Sequence, residues 1–360
     1  MTLDFADVAG APTPATLRAV ERAFGPGGLG LIAITGVPDF ARLRAAALPL
    51  AFAFATQPPA TLARYEHAAS HYSFGWSRGR EKFGGVLDTA KGSFYFNPLH
   101  DAPCAGSAAA RDPALAPFYH PNVWPAPADA PPDFEAALKA LGAAMVRAGV
   151  ALAAHVDAFV AERAAALGRG AVARRLRDVV AESRTPKARL LFYYPVDGGS
   201  GGSGGSGAAA WCGAHNDHGS LTALTPAIYF DAAGAVVPCP DADAGLYVYS
   251  RAGAPVRVAL PPGAVAMQIG ETAQVQSGGI LRATPHLVRA PSTPGVARAA
   301  LAVFMEPEHG EAVDVPPGAA PADALAGDAA LPPGVPPLAA RWRAGATFEE
   351  FTIATLKAYY

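Results

Sequence analysis

The chain has 360 residues, 51% hydrophobic and 16% charged, with a formal net charge of −2, which suits one large domain or two ordinary ones with a self-sufficient core. The near-neutral balance and the lack of a dense Lys/Arg run exclude a charge-driven nucleic-acid or anionic-membrane partner. Three cysteines (Cys104, Cys212, Cys239) without CxxC spacing exclude a disulfide framework and a Cys-based zinc module.

In chain order, Met1-Thr-Leu-Asp-Phe-Ala-Asp7 has no basic start followed by an apolar stretch, so a leader is not expected. The longest apolar run, Ala45 to Ala55, is far short of the ~20 residues of a membrane span, and a cytoplasmic protein is the expectation. Thr16 to Phe24 predicts a helix ended by Gly25-Pro26-Gly27-Gly28, Leu29 to Thr35 a buried strand, and Arg42 to Thr56 a second helix. From Pro132 to Gly168, apolar residues at three- and four-residue steps (Phe134, Leu138, Leu141, Met145, Leu152, Val156, Phe159) predict one long helix. Past Lys187 the period falls to two. Strands are expected at Leu190–Tyr194, Ser220–Tyr229, Leu246–Tyr249, Val256–Leu260, Ala264–Ile269 and Ala299–Met305, with a strand-like stretch at Gln274–Arg282. A Gly/Ser tract, Gly198 to Gly207, interrupts this series as flexible coil. A last helix is expected from Thr347 to Tyr359. Four segments result: 1–125 of mixed character, 126–186 with the long helix, 187–310 rich in strands, and a C-terminal extension at 311–360.

Nine histidines are the main chemical clue. His215-Asn216-Asp217 is assigned to the start of the Ser220–Tyr229 strand, where residues two apart share a face. One more His from an adjacent strand, best His286, completes a 2-His-1-carboxylate set, the arrangement of non-haem Fe(II) oxygen chemistry. His155-Val156-Asp157 repeats the pattern inside the long helix, where residues two apart do not face each other, so it is not a ligand pair. In the last strand Arg298, Ala300, Ala302 and Phe304 share one face. If that face looks inward, the Arg298 guanidinium needs an anionic partner, and a carboxylate ligand suits its planar fork.

With these residues the sequence resembles the Fe(II)/2-oxoglutarate-dependent dioxygenases of the isopenicillin N synthase-like family over nearly its whole length. The matches are His215-x-Asp217 with the distant His286, then Arg298-Ala-Ala-Leu-Ala-Val-Phe304-Met-Glu306-Pro307 for the family's Arg-x-Ser strand. Phe192-Tyr193-Tyr194-Pro195 stands for Asn-Tyr-Tyr-Pro, and Gly270-Glu271 with Ser277-Gly278-Gly279 for Gly-Asp and Ser-Asn-Gly. Asn122-Val-Trp124-Pro125 leads to the long helix, and Thr347-Phe-Glu-Glu-Phe351 matches the last one. The resemblance implies an α+β protein with a double-stranded β-helix (jelly-roll) core over 187–310, buttressed by helices. It implies iron on His215, Asp217 and His286, and 2-oxoglutarate held by Arg298 with Tyr194. Phe192 and Phe304 would line the site, and Tyr95, Asn97 and Arg289 are guesses for substrate contact. The expected reaction consumes O2 and 2-oxoglutarate, releases succinate and CO2, and oxidises a small molecule, by hydroxylation first of all. Two departures stand out: Ala300 replaces the Ser of Arg-x-Ser, and Phe192 replaces the Asn before the tyrosines. Three other readings remain open. One is an isopenicillin N synthase-type oxidase without 2-oxoglutarate, and another a weakly catalytic or non-catalytic jelly-roll binding protein. The third is a zinc hydrolase using His215, Asp217 and His218, although His218 falls on the opposite strand face.

Overall fold

The structure, a computed structural model, describes residues 1–83, 86–195, 210–327 and 330–359; the Gly/Ser tract lies outside them. The first strands are β1 Thr2–Asp4, β2 Leu31–Thr35, β3 Gly75–Arg78, β4 Lys82–Phe83, β5 Val86–Leu87, β6 Lys91–Phe96, β7 Lys187–Tyr193 and β8 Ala210–His215. They are followed by β9 Leu221–Leu224, β10 Ile228–Phe230, β11 Val236–Val237, β12 Gly245–Tyr249, β13 Pro255–Arg257, β14 Val265–Ile269, β15 His286–Arg289 and β16 Ala297–Met305.

A ten-stranded sheet runs β1-β2-β14-β9-β16-β7-β6-β3, with β10 and β11 attached beside β16. Its neighbours are antiparallel except β1 and β2. A four-stranded antiparallel sheet, β13-β12-β15-β8, is separate from it. Period-two alternation gives the large sheet two different faces. Leu190 and Phe192 of β7 with Ala299, Leu301 and Val303 of β16 join the core under the long helix. Leu191, Tyr193 and Ala302 point the other way, toward Trp211, Cys212 and Val288 of the small sheet. The site lies on this inner face.

The long helix, Phe134–Ala166, has the length and hydropathy to cross a membrane, but its apolar stripe is committed inside the protein. Leu138, Leu141, Met145, Leu152 and Val156 are all fully buried, each contributing ~1.5–3 kcal/mol of hydrophobic stabilisation. Gly149 permits the close approach to β16, since a Cβ there would lie 2.5 Å from Met305 Sδ.

The expected Arg42–Thr56 helix is two helices, Phe40–Ala47 and Leu50–Ala55, broken where Pro49 lacks an N–H. The expected Ser220–Tyr229 strand divides into β9 and β10 at Thr225-Pro226 for the same reason. Gln274–Arg282 is not strand-like: Glu271–Gln276 is a helix, and the turn after it uses Gly278 and Gly279 at φ 60° and 76°. His215 ends β8 rather than opening the Ser220–Tyr229 strand, and Asp217 lies just beyond it. The last helix, Phe348–Tyr359, falls where expected.

Candidate functional site

His215 and His286 are direct partners across the β8–β15 ladder. Facing residues of neighbouring strands bring their Cβ atoms within ~5.5 Å, and the two imidazole centroids stand 4.2 Å apart. Asp217 Oδ1 is 4.0 Å from His215 Nε2 and 3.9 Å from His286 Nε2. One ligand atom from each residue fits within a 4.8 Å span, the one such group of three or more ligand side chains among the described residues.

Second contacts fix how each group is presented. His215 Nδ1 donates to the Gly213 carbonyl at 2.9 Å, which puts the ring lone pair on Nε2. The Gln268 side-chain amide sits 2.7 Å from His286 Nδ1. Burial lowers both imidazole pKa values, that of His286 to about 4, so both rings are neutral, as metal ligands must be. Asp217 Oδ2 is buried and has no hydrogen-bond partner. Asn216, between the ligands, donates at 3.0 Å to Glu271, which Arg341 clamps through two bonds of 2.6 and 2.7 Å. The ligand loop is thereby tied to the C-terminal segment.

A chamber opens from this triad along β16 and β7. Their register sets Arg298 beside Tyr193, Ala300 beside Leu191, Ala302 beside Arg189 and Phe304 beside Lys187. The inward face expected for Arg298, Ala300, Ala302 and Phe304 is the face that lines this chamber, together with His215, Asp217 and His286. Arg298 is 6% exposed, its guanidinium 4.8 Å from the Tyr193 ring centroid and beside Tyr229. Its Nε and Nη1 have no partner. A cation buried that way requires an anion, and the chamber is where one would enter.

A second chamber, of about 150 Å³, adjoins the first and shares His215, Asp217, Arg189 and Phe304 with it. One wall is a charge network. Glu81 accepts from Lys91 at 2.8 Å, from Tyr95 at 3.0 Å and from Arg189, whose Nε donates to Ser93 at 2.9 Å. Burial alone would raise the Glu81 carboxyl, but Arg189 and Lys91 outweigh it and hold it far below the usual range. The facing wall comes from the C-terminal helix through Thr352, Thr355 and Leu356.

Several expected residues stand elsewhere. The Tyr194 hydroxyl donates to the Ala55 carbonyl at 2.7 Å and its ring lies under Arg78, so Tyr194 faces away from Arg298. Tyr193, one position earlier, has the inward parity. Phe192 is core, packed between Phe52, Phe230 and Tyr194, whereas Phe304 lines both chambers. Tyr95 reaches the second chamber; Asn97 is spent on the Arg184 carbonyl, and Arg289 lies over Tyr247. His218 stacks on Phe348 outside the triad, which removes the zinc-hydrolase arrangement. His155 is structural, bonded to Thr16 and the Val8 carbonyl, and Asp157 caps the helix at Leu176. The second-chamber charges and Gln268 are not among the residues expected from the sequence. Lys187 and Arg189 at alternate positions of a strand were the signal that could have found two of them.

Among solved structures, this fold is shared with proteins described as 2OG-Fe(II) oxygenases or crystallised with 2OG and Fe. A full-length Neurospora crassa protein in complex with alpha-KG and thymine aligns at TM-score 0.64 with 18% identity, over 99% of this chain and 96% of that one. JOX2, in complex with 2OG, Fe and JA, aligns at 0.63 with 17% identity, over 98% and 83%. The dioxygenase for auxin oxidation from rice aligns at 0.58 with 21% identity, over 99% and 94%. No protein-family model and no curated protein matches the sequence.

Proposed function

We propose that this chain is a non-haem Fe(II), 2-oxoglutarate-dependent dioxygenase that oxidises a small molecule, most simply by hydroxylation, on a jelly-roll core. The observation that carries the reading is the unpartnered edge of Arg298 in the same chamber as three converging metal ligands. The donor set, two neutral imidazoles and one carboxylate on one side of a space, suits Fe(II) with positions left open. Such an ion supplies activation of O2, coupled to oxidative decarboxylation of 2-oxoglutarate to succinate and CO2.

The protein's own part is placement. His215, Asp217 and His286 would hold the metal, and Gly213 and Gln268 keep the rings oriented. Arg298 would grip the far carboxylate of 2-oxoglutarate by two parallel hydrogen bonds, over the ring of Tyr193 and beside Tyr229. Ala300 offers no hydroxyl there, so Arg298 carries that grip with less help. The apolar walls Leu191, Ala300, Ala302 and Val288 keep the chamber dry. The solved relatives crystallised with thymine or JA are in keeping with a small-molecule substrate. The three cysteines are free thiols, in keeping with a cytoplasmic setting. The test is succinate formation by purified protein with Fe(II), O2 and 2-oxoglutarate. Slow iron-dependent turnover without added substrate is expected, abolished by His286→Ala; its absence at saturating 2-oxoglutarate would refute the reading.

A further inference from the structure

The second chamber contains two opposite charges that do not meet. Lys187 enters it from β7, and Glu306 follows Phe304 just past the end of β16, where Phe304 and Lys187 are cross-strand neighbours. The Lys187 ammonium donates to the Pro117 carbonyl and lies 4.7 Å from the Phe74 ring centroid. Glu306 is 5% exposed, and no donor among the described residues reaches its carboxylate. Each feels the other's charge, yet no ion pair joins them. Burial pushes Glu306 up to about 7 and Lys187 down, as expected of buried charges with no counter-charge in contact. Thr352 Oγ1, in the same chamber, is also buried without a partner. Pro117, Phe118, Phe304 and Leu356 make much of the remaining wall apolar.

Buried charges in proteins are balanced by counter-charges, and here the counter-charges have to come from the cavity. We propose that this chamber binds a zwitterionic α-amino acid as the substrate to be oxidised. Its carboxylate pairs with Lys187, its ammonium with Glu306, and its side chain lies against Pro117, Phe118 and Leu356. A simple carboxylic acid would satisfy Lys187 but bring a second negative charge to Glu306, and a simple amine would do the reverse. A neutral cyclic amide would leave both charges with uncharged partners, in hydrogen bonds roughly half as strong.

The proposal rests on the oxygenase reading, and its test separates the two. The full chain, loaded with Mn(II) and 2-oxoglutarate without oxygen, is titrated calorimetrically with each of the common L-amino acids. For the tightest binder, its des-amino acid and its decarboxylated amine are then compared, with uracil as the cyclic amide. We expect at least one amino acid to bind, both truncated analogues to bind at least tenfold more weakly, and uracil not to compete. K187M and E306Q should each lower amino-acid affinity at least tenfold and leave 2-oxoglutarate affinity unchanged. E306Q, nearly isosteric, guards against a folding failure in K187M. The proposal is overturned if no amino acid binds while Mn(II) and 2-oxoglutarate do, or if an analogue or uracil binds as well. If neither the metal nor 2-oxoglutarate binds, the oxygenase reading fails and the proposal with it.

Discussion

Replacing Arg298 by Met tests the cosubstrate grip with little change in volume. The wild-type guanidinium is buried with Nε and Nη1 unpaired, and two charge-assisted hydrogen bonds to a ligand carboxylate are worth ~1.5–3 kcal/mol each. Removing one partner of such a buried pair costs ~2–5 kcal/mol, so 2-oxoglutarate affinity should fall roughly 30- to 4,000-fold at ~1.4 kcal/mol per decade. The metal-loaded, ligand-free variant should be at least as stable as wild type, because an unpaired buried cation is lost. A thermal-shift assay with Mn(II) reads both effects. At a hundred times Kd, 2-oxoglutarate stabilises by ~2.7 kcal/mol. With an unfolding entropy of ~2.1 cal/mol/K per residue over 360 residues, that is a rise in Tm of about 3–4 °C. Wild type should show this rise, and the variant at the same concentration should show about 1 °C at most. A well-folded variant that keeps the full rise would refute the role given to Arg298.

The two His-x-Asp segments should behave oppositely. His286→Ala should weaken Mn(II) or Co(II) binding at least a hundredfold by calorimetry, whereas His155→Ala should leave metal affinity unchanged. The latter should still lose ~2–4 kcal/mol of stability through the unsatisfied Thr16 and Val8 groups; equal effects on metal binding would remove the ligand assignment. Arg341→Met should cost ~3–5 kcal/mol by stranding the Glu271 carboxylate in the interior. Adding Glu271→Met should recover much of that loss in a urea double-mutant cycle, and strict additivity would mean that the pair is not coupled. Glu306 gives a pH dependence of defined sign. Its folded pKa, about 7, exceeds its unfolded value, so the folded state binds the extra proton between them. Its contribution therefore falls as pH rises from about 5 to about 7. Urea melts should show a flatter profile in that window for Glu306→Gln, and an unchanged slope would place the titration elsewhere.

The residues that announced the site were those whose chemistry is unusual for their location. A His-x-Asp at a strand end and an Arg within an apolar strand are weak signals singly, and they point to the site only in combination with each other and with the family resemblance. The convergence of His215 with His286 follows from one feature, the facing of β8 and β15, and a strand-borne His next to a strand-borne His-x-Asp was enough to anticipate it. Parity decided the rest. Tyr193 and Tyr194 differ by one step, and the side of the sheet each faces depends on the register of β7 against β16, which no local pattern fixes. Tyr194 in place of Tyr193 at the carboxylate is a one-residue shift of this kind, and Phe192 shares the parity of Tyr194. The second chamber was illegible for a different reason. Glu81, Lys91 and Tyr95 lie about a hundred residues upstream of Arg189 and meet it only because β6 docks on β7, in a segment that offered no strand signal strong enough to recognise. Lys187 and Glu306 each have an ordinary place in sequence, one opening a strand and one just after another. Only the antiparallel pairing of those strands makes them neighbours, and only the lack of a contacting counter-charge at each marks the space between them as a place for a ligand.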